Sequence, residues 1–243
     1  MEVKIVIPSH KRATRVRTTM AVDNAILCVA ESQAALYKKC NPKIDIVTHP
    51  DTVIGLARKR DWIIKHFGDV MMLDDDIESL MRIYTEKGEP NMVEPDEAYA
   101  LVQMTAAAAR EAGVYLFGFS SSPTPISYNS LNPIQLTGYV TGCAHGVLKG
   151  SKLWYNPDII CNEDYWISLL NAYHHRMIWK DTRFYWAQKD TFVNRGGLAE
   201  FRNLEAEEKD FHLLQRVFGD VVELRKNKAN AKHPFQKTLK LPF

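Results

Sequence analysis

Four short apolar runs lie in the first 73 residues, at 3–7, 25–30, 44–48 and 70–73. Each has the length and β-branched character of a buried strand, and Pro8 closes the first. Between them the period changes. Ser32 stands where a helix N-cap is expected, with a helix to about Cys40 and a stop at Asn41-Pro42. In 53–67 the residues Val53, Leu56, Ile63, Ile64 and Phe67 recur at helical spacing, and Gly68 closes the segment. Strands alternating with helices at this rhythm predict βαβ units, hence an α/β fold with a mainly parallel central sheet. Such sheets bind ligands beyond the carboxyl ends of their strands. Those ends carry Pro8-Ser9-His10-Lys11-Arg12, Glu31 and Asp74-Asp75-Asp76.

The remainder is less regular. The pattern predicts an alanine-rich helix at 95–112 with Asp96 and Glu97 in its first turn, a strand at 114–119 and a long loop at 120–133. A glycine-broken strand or hairpin follows at 135–148. Asn162 is expected to cap a helix at 163–175, followed by a strand at 177–186, a helix at 205–218 and a last strand at 220–224. No linker rich in Gly or Ser divides the 243 residues, so a single domain is expected. Its expected parts are 1–80, 81–224 and a basic segment at 225–243.

With 46% hydrophobic and 25% charged residues, disordered, collagen-like and coiled-coil readings are excluded. No apolar stretch is long enough to cross a bilayer, and the N-terminal run lacks the pattern of a signal peptide. The expectation is a cytoplasmic protein without membrane contact. Cys28, Cys40, Cys143 and Cys161 lack CxxC spacing and read as reduced thiols rather than a zinc site or disulfide framework. A net charge of +2 selects no partner. Arg225, Lys226, Lys228, Lys232, Lys237 and Lys240, with no acid among them, make a run that contacts phosphates or forms a solvated end.

Asp74-Asp75-Asp76 is the sharpest feature. Adjacent carboxylates repel one another unless a cation or hydrogen-bond donors neutralise them. At the mouth of a buried strand they suit Mg²⁺ or Mn²⁺, which keeps water and phosphate oxygens as further ligands. A solvated acidic turn is the bland alternative. The aspartyl-nucleophile phosphatases carry a related Asp-x-Asp, though on their first strand. Neither a P-loop nor a GxGxxG pattern occurs.

In combination the motifs say more. Ile5-Val6-Ile7-Pro8-Ser9-His10-Lys11-Arg12, an apolar strand ending in Glu31, Gly55-Leu56-Ala57-Arg58 and Leu73-Asp74-Asp75-Asp76 follow one another in order. Over about residues 3–78 this resembles the nucleotide-sugar-binding half of GT-A fold, Rossmann-like glycosyltransferases of the family-2-like group, and more loosely to about residue 200. The resemblance implies that Pro8, Ser9, His10 and Arg12 line a nucleoside pocket with Glu31 near the base or ribose. It implies that Arg58 reaches the base or diphosphate, and that Asp74 and Asp75 belong to the same nucleotide-sugar site. Asp76 and Asp74 would hold a metal bridging the phosphates. Where the family often shows Arg-Asn, this chain has Arg58-Lys59-Arg60-Asp61.

In Asn162-Glu163-Asp164, acids at a helix start satisfy the helix dipole unaided. Inverting family members carry a Glu-Asp pair at this point, which implies Asp164 as general base with Glu163 in reserve. By the same resemblance, Asn194-Arg195-Gly196-Gly197-Leu198 makes a lid and His233 a late metal ligand. The small residues of 137–146 allow backbone to approach a sugar.

The opening Ile7-Pro8-Ser9-His10-Lys11-Arg12-Ala13, the segment Leu73-Asp74-Asp75-Asp76-Ile77-Glu78 and Asn194-Arg195-Gly196-Gly197-Leu198 are similar to the TET-associated glycosyltransferases of phages. That likeness implies transfer of a sugar, from a UDP-linked or other nucleoside diphosphate donor, to 5-hydroxymethylpyrimidines in DNA. It gives Arg12, Arg15, Arg17 and the basic tail a role as phosphate contacts. Tyr165-Trp166 and Phe184-Tyr185-Trp186 become candidates for base stacking, with core packing as the plainer role. Transfer to protein or cell-surface glycan, and a non-catalytic nucleic-acid-binding module on the same fold, are the competing readings.

Overall fold

The computed structural model describes residues 2–188, 200–225 and 235–241. The four apolar runs form β1 (Lys4–Pro8), β2 (Ala25–Ala30), β3 (Asp45–His49) and β4 (Val70–Leu73), paired in parallel in the order β3-β2-β1-β4. Between them run α1 (Ala34–Cys40) and α2 (Leu56–Phe67). β1, β2 and β4 are buried on both faces, which is why they read as continuous apolar runs, while β3 lies at the sheet edge and is partly exposed.

Side chains still alternate between two cores. Ile5, Ile7, Met71 and Leu73 pack on one side, with Ala98, Val102 and Ala106 of α3 (Pro95–Glu111). Val6, Val70 and Met72 pack on the other, with Ala57 and Ile63 of α2 and with Ile167 and Leu170 of α4 (Glu163–His174). Each such fully buried aliphatic side chain is worth about 1.5–3 kcal/mol over its exposed state. The result is a sheet layered between helices.

Beyond β4 the sheet changes character. It continues through β9 (Ala144–Val147), β7 (Leu116–Ser120), β10 (Trp179–Gln188), β5 (Ile77–Arg82) and β6 (Met92–Val93), with β8 (Ile134–Gln135) pairing β10. β9 runs antiparallel to both β4 and β7, and β5 antiparallel to β10, while β7 and β10 are parallel. Antiparallel β9 brings the segment just before it to the carboxyl end of β4, where the Asp74 amide donates to the Cys143 carbonyl at 2.8 Å.

Several local expectations are corrected. Ser32 does not cap α1; a single 3-10 turn, Glu31–Gln33, precedes the helix, and the Ser32 hydroxyl donates to Asp51 Oδ1 at 2.7 Å. α2 begins at Leu56 rather than 53, because Gly55 adopts φ +91°, outside helical geometry. Asn162 precedes α4 without a side-chain cap. In the first turn the Tyr165 amide donates to Asp164 Oδ1 at 2.8 Å, while Asp210 of α5 (Leu204–Phe218) holds the chain just before the helix, accepting from the amides of Ile160, Cys161 and Asn162 at 3.0, 2.6 and 3.0 Å. The strand at the chain's end is not 220–224: β11 (Val222–Leu224) pairs with a later β12 (Lys237–Leu239). Trp166, Phe184 and Trp186 are buried core residues rather than stacking surfaces.

Candidate active site

The carboxyl ends of the parallel strands and the start of α4 open onto one cavity of about 1080 Å³. Pro8, Ser9, His10 and Arg12 reach it from β1 and the turn after it, and Asp74, Asp75 and Asp76 from the end of β4. Thr141, Gly142 and Cys143 precede β9, and Glu163 and Asp164 open α4; all five residues line the same space.

The aspartates do not repel one another unopposed. Asp75 is buried and fully engaged: Arg12 Nη1 donates to Oδ1 at 2.7 Å and Ser9 Oγ to Oδ2 at 2.5 Å. Tyr37 extends this clamp, its hydroxyl 2.7 Å from Ser9 Oγ and accepting from the Arg12 amide at 3.0 Å. The triplet's backbone is pinned by Thr18, whose hydroxyl donates to the Asp74 carbonyl at 2.5 Å, and by the Arg17 amide, which donates to the Asp75 carbonyl at 2.9 Å.

Asp74 and Asp76 flank the clamp and are less committed. Arg60 Nη2 donates to Asp74 Oδ1 and Gln188 Nε2 to Asp76 Oδ1, each at 2.8 Å. Asp76 Oδ2 lies 3.7 Å from Arg12 Nη1. Burial pushes the Asp74 carboxyl up to about 7, against the pull of Arg60 and with Asp76 and Asp75 adding to the rise. Asp76 is also raised, mainly by burial. A cation beside them would lower both. Among the described residues no three His, Cys, Asp or Glu side chains gather to hold a metal by themselves. Two carboxylates are, however, the usual protein share of a Mg²⁺ or Mn²⁺ site completed by phosphate oxygens and water. The donor set fits an ion that arrives with an anionic ligand.

At the other wall, burial raises both Glu163 and Asp164, and the Asp164 carboxylate raises Glu163 further. Arg60 Nη1 lies 3.3 Å from Glu163 Oε1, and Asp164 Oδ1 accepts from the Tyr165 amide at 2.8 Å. Gly142 stands against this pair. A Cβ there would meet Asp164 Oδ2 at 3.4 Å and Glu163 Oε1 at 3.5 Å. Lys59, also lining the cavity, donates from Nζ to the Ser9 carbonyl at 2.6 Å, and burial lowers it to about 8.

The TET-associated glycosyltransferase family matches residues 3–197. The chain belongs to that family. A search of curated proteins finds no match. Among solved structures, S. aureus TarS (residues 1–349) is 11% identical with a TM-score of 0.49, covering 90% of this chain and 72% of that one. A CMP:2-keto-3-deoxy-manno-octonic acid synthetase complexed with CTP is 12% identical with a TM-score of 0.45, covering 86% of this chain and 100% of that one. Both structural likenesses are too loose to carry an inference.

In this glycosyltransferase the sequence expectations divide. Pro8, Ser9, His10, Arg12, Asp74, Asp75, Asp76, Glu163 and Asp164 meet at the cavity. Glu31 does not line it; the residue is exposed, and its neighbours Ala30, Ser32 and Gln33 take the wall. Arg58 is exposed as well, its Nε 3.4 Å from the Pro157 carbonyl, because the helical period turns it away from the sheet. Arg60, two residues on, is fully buried. It lies three residues from both Ala57 and Ile63 on the packed face of α2, a spacing that marks its position. Lys59, Tyr37 and Gln188 carried no motif signal. Arg12 is turned toward Asp75, and Arg17 Nη1 is 2.5 Å from Glu78, so both cations face acids rather than a DNA backbone. His233, 194–198 and Lys226, Lys228 and Lys232 of the tail lie outside the described residues. No described helix is long and apolar enough to cross a membrane.

Proposed function

We propose that this glycosyltransferase moves a sugar from a nucleoside diphosphate donor, UDP-linked, to the hydroxyl of a 5-hydroxymethylpyrimidine in DNA, with Mn²⁺ or Mg²⁺ bound alongside the donor. The observation that carries the reading is the convergence of Asp74, Asp76 and the Glu163–Asp164 pair on one cavity at the carboxyl edge of the parallel strands.

In this reading Pro8, Ser9 and His10 hold the nucleoside, and Asp74 and Asp76 hold the cation. The cation, when bound, neutralises charge on the departing diphosphate. Lys59 adds a positive charge at the same wall. Arg12 locks Asp75, and so fixes the angle at which its two neighbours face the cavity. Asp164 takes the proton from the acceptor hydroxyl, since its raised proton affinity brings it toward the working range of a general base. Attack opposite the leaving diphosphate then inverts the sugar's configuration. The family assignment supports the DNA acceptor.

Incubation with Mn²⁺, UDP-sugars and DNA containing or lacking 5-hydroxymethylcytosine or 5-hydroxymethyluracil, followed by digestion and nucleoside mass measurement, tests this reading. A hexose or pentose mass gain on the hydroxymethylated DNA alone is expected. UDP release without that gain overturns the acceptor and keeps the donor.

A further inference from the structure

Arg60 is fully buried, yet it is absent from the cavity wall. Its guanidinium stands behind that wall, between the two groups of acids. Nη2 donates to Asp74 Oδ1 at 2.8 Å and to the Gly142 carbonyl at 2.6 Å, while Nη1 faces Glu163 Oε1 at 3.3 Å. One side chain on α2 therefore touches the end of β4, the segment before β9 and the first turn of α4.

A buried guanidinium is costly unless it is paired, and well-packed apolar residues often serve stability as well or better. What an arginine adds is a planar fork that sets two anions at a fixed separation. The fork here is not saturated. Arg60 Nε and Nη1 and Glu163 Oε2 make no hydrogen bond. This is not the arrangement of a contact optimised for stability. It leaves Glu163 held by charge rather than by a full hydrogen-bond set, and Asp164 is the next residue on the same helical turn.

We propose that Arg60 is a positioning residue for sugar transfer, holding the Glu163–Asp164 pair in register with Asp74 so that the acceptor is deprotonated beside the donor. The inference rests on the reading of the cavity given above. Because Arg60 does not reach the cavity, its contribution falls on the chemical step, and donor affinity is touched only through its bond to Asp74.

The test compares wild type, Arg60→Lys, Glu163→Gln and the double variant. Calorimetry measures UDP binding with Mn²⁺, and steady-state assays follow sugar transfer to hydroxymethylated DNA. Lysine keeps the charge but lacks the planar fork that sets two carboxylates at a fixed separation. The expected result is a kcat lowered at least about 10-fold in each single variant, with UDP affinity within about 3-fold of wild type. The double variant should be no worse than about 2-fold below the poorer single, because both substitutions break one unit. Unchanged kcat in Arg60→Lys, losses that multiply in the double variant, or UDP affinity falling in step with turnover would each overturn the inference while leaving the donor site intact. Should Arg60→Lys not fold, Glu163→Gln decides alone, and wild-type kcat in that variant overturns it. A wild type that neither binds UDP with Mn²⁺ nor turns over overturns the cavity reading and this inference with it.

Discussion

The two halves of the sheet are built by different rules. In β3-β2-β1-β4 every pairing is parallel, every strand delivers its carboxyl end to one edge, and the polar residues that follow meet there. From β9 to β6 the directions mix, and the chain contributes to the same edge through the residues before β9 and the start of α4. The parallel half supplies the paired aspartates and their clamp. The mixed half supplies the second wall, with Glu163 and Asp164. Arg60, on α2 of the first half, touches acids of both walls, Asp74 and Glu163.

The comparison can be broken or sharpened by substitution. Asp76→Asn, in the parallel half, should reduce transfer at least about 100-fold, because it removes a carboxylate set for the cation at the leaving group. Its thermal midpoint should not fall, since Asp76 makes one hydrogen bond to Gln188 and sits among like charges. Activity assays and thermal melts together check this, and a lowered midpoint would move Asp76 into the scaffold.

Gly146→Ala belongs to the mixed half and should show the reverse pattern. A Cβ at Gly146 would lie 2.0 Å from the Phe117 ring in the neighbouring strand. Overpacking of that kind costs about 3 kcal/mol, readable as a lowered denaturation midpoint with an unchanged slope. Retained wild-type stability would mean that β7 and β9 pack less closely than described.

His145, also on β9, gives a pH test. Its Nδ1 faces the Thr141 carbonyl and its Nε2 the Tyr155 hydroxyl at 2.5 Å, and burial lowers it to about 3 from 6.5. A base whose folded value is depressed contributes stability above its unfolded value and loses it as pH falls toward the folded one. Wild type should therefore lose stability between about pH 6.5 and about pH 3 more steeply than His145→Gln. Parallel stability profiles for the two proteins would contradict a neutral buried imidazole. The smallest effect is expected at the exposed Arg58: Arg58→Ala should change stability by less than about 0.5 kcal/mol and turnover by less than about 2-fold. A loss approaching that of Arg60→Lys would restore Arg58 to the site.

Legibility followed the same division. Parallel strands buried on both faces announce themselves as short apolar runs, and the rule for carboxyl ends then locates the site without any knowledge of register. The triplet could be named this way, whereas the Glu163–Asp164 pair, at the start of α4, could be named only through the family resemblance. β5, β6 and β12 were not legible, because Ile77–Arg82 follows the acidic triplet directly and the two others are two or three residues long. In α2 the motif points to Arg58, while the helical period places Arg60, not Arg58, on the packed face. Asn162 does not cap α4: the Tyr165 amide of the first turn goes to Asp164 Oδ1, and the chain entering the helix is held by a distant carboxylate, Asp210. Local propensity does not report such long-range partners.

The central claim is that Asp74 and Asp76 form a cation-dependent donor site at the parallel edge. Titration calorimetry of UDP into wild type and Asp76→Asn, with and without Mn²⁺, tests it most directly. The account predicts binding by wild type that strengthens at least about 10-fold with Mn²⁺, and no such strengthening in Asp76→Asn. Equal UDP affinity with and without the metal in both proteins would contradict it.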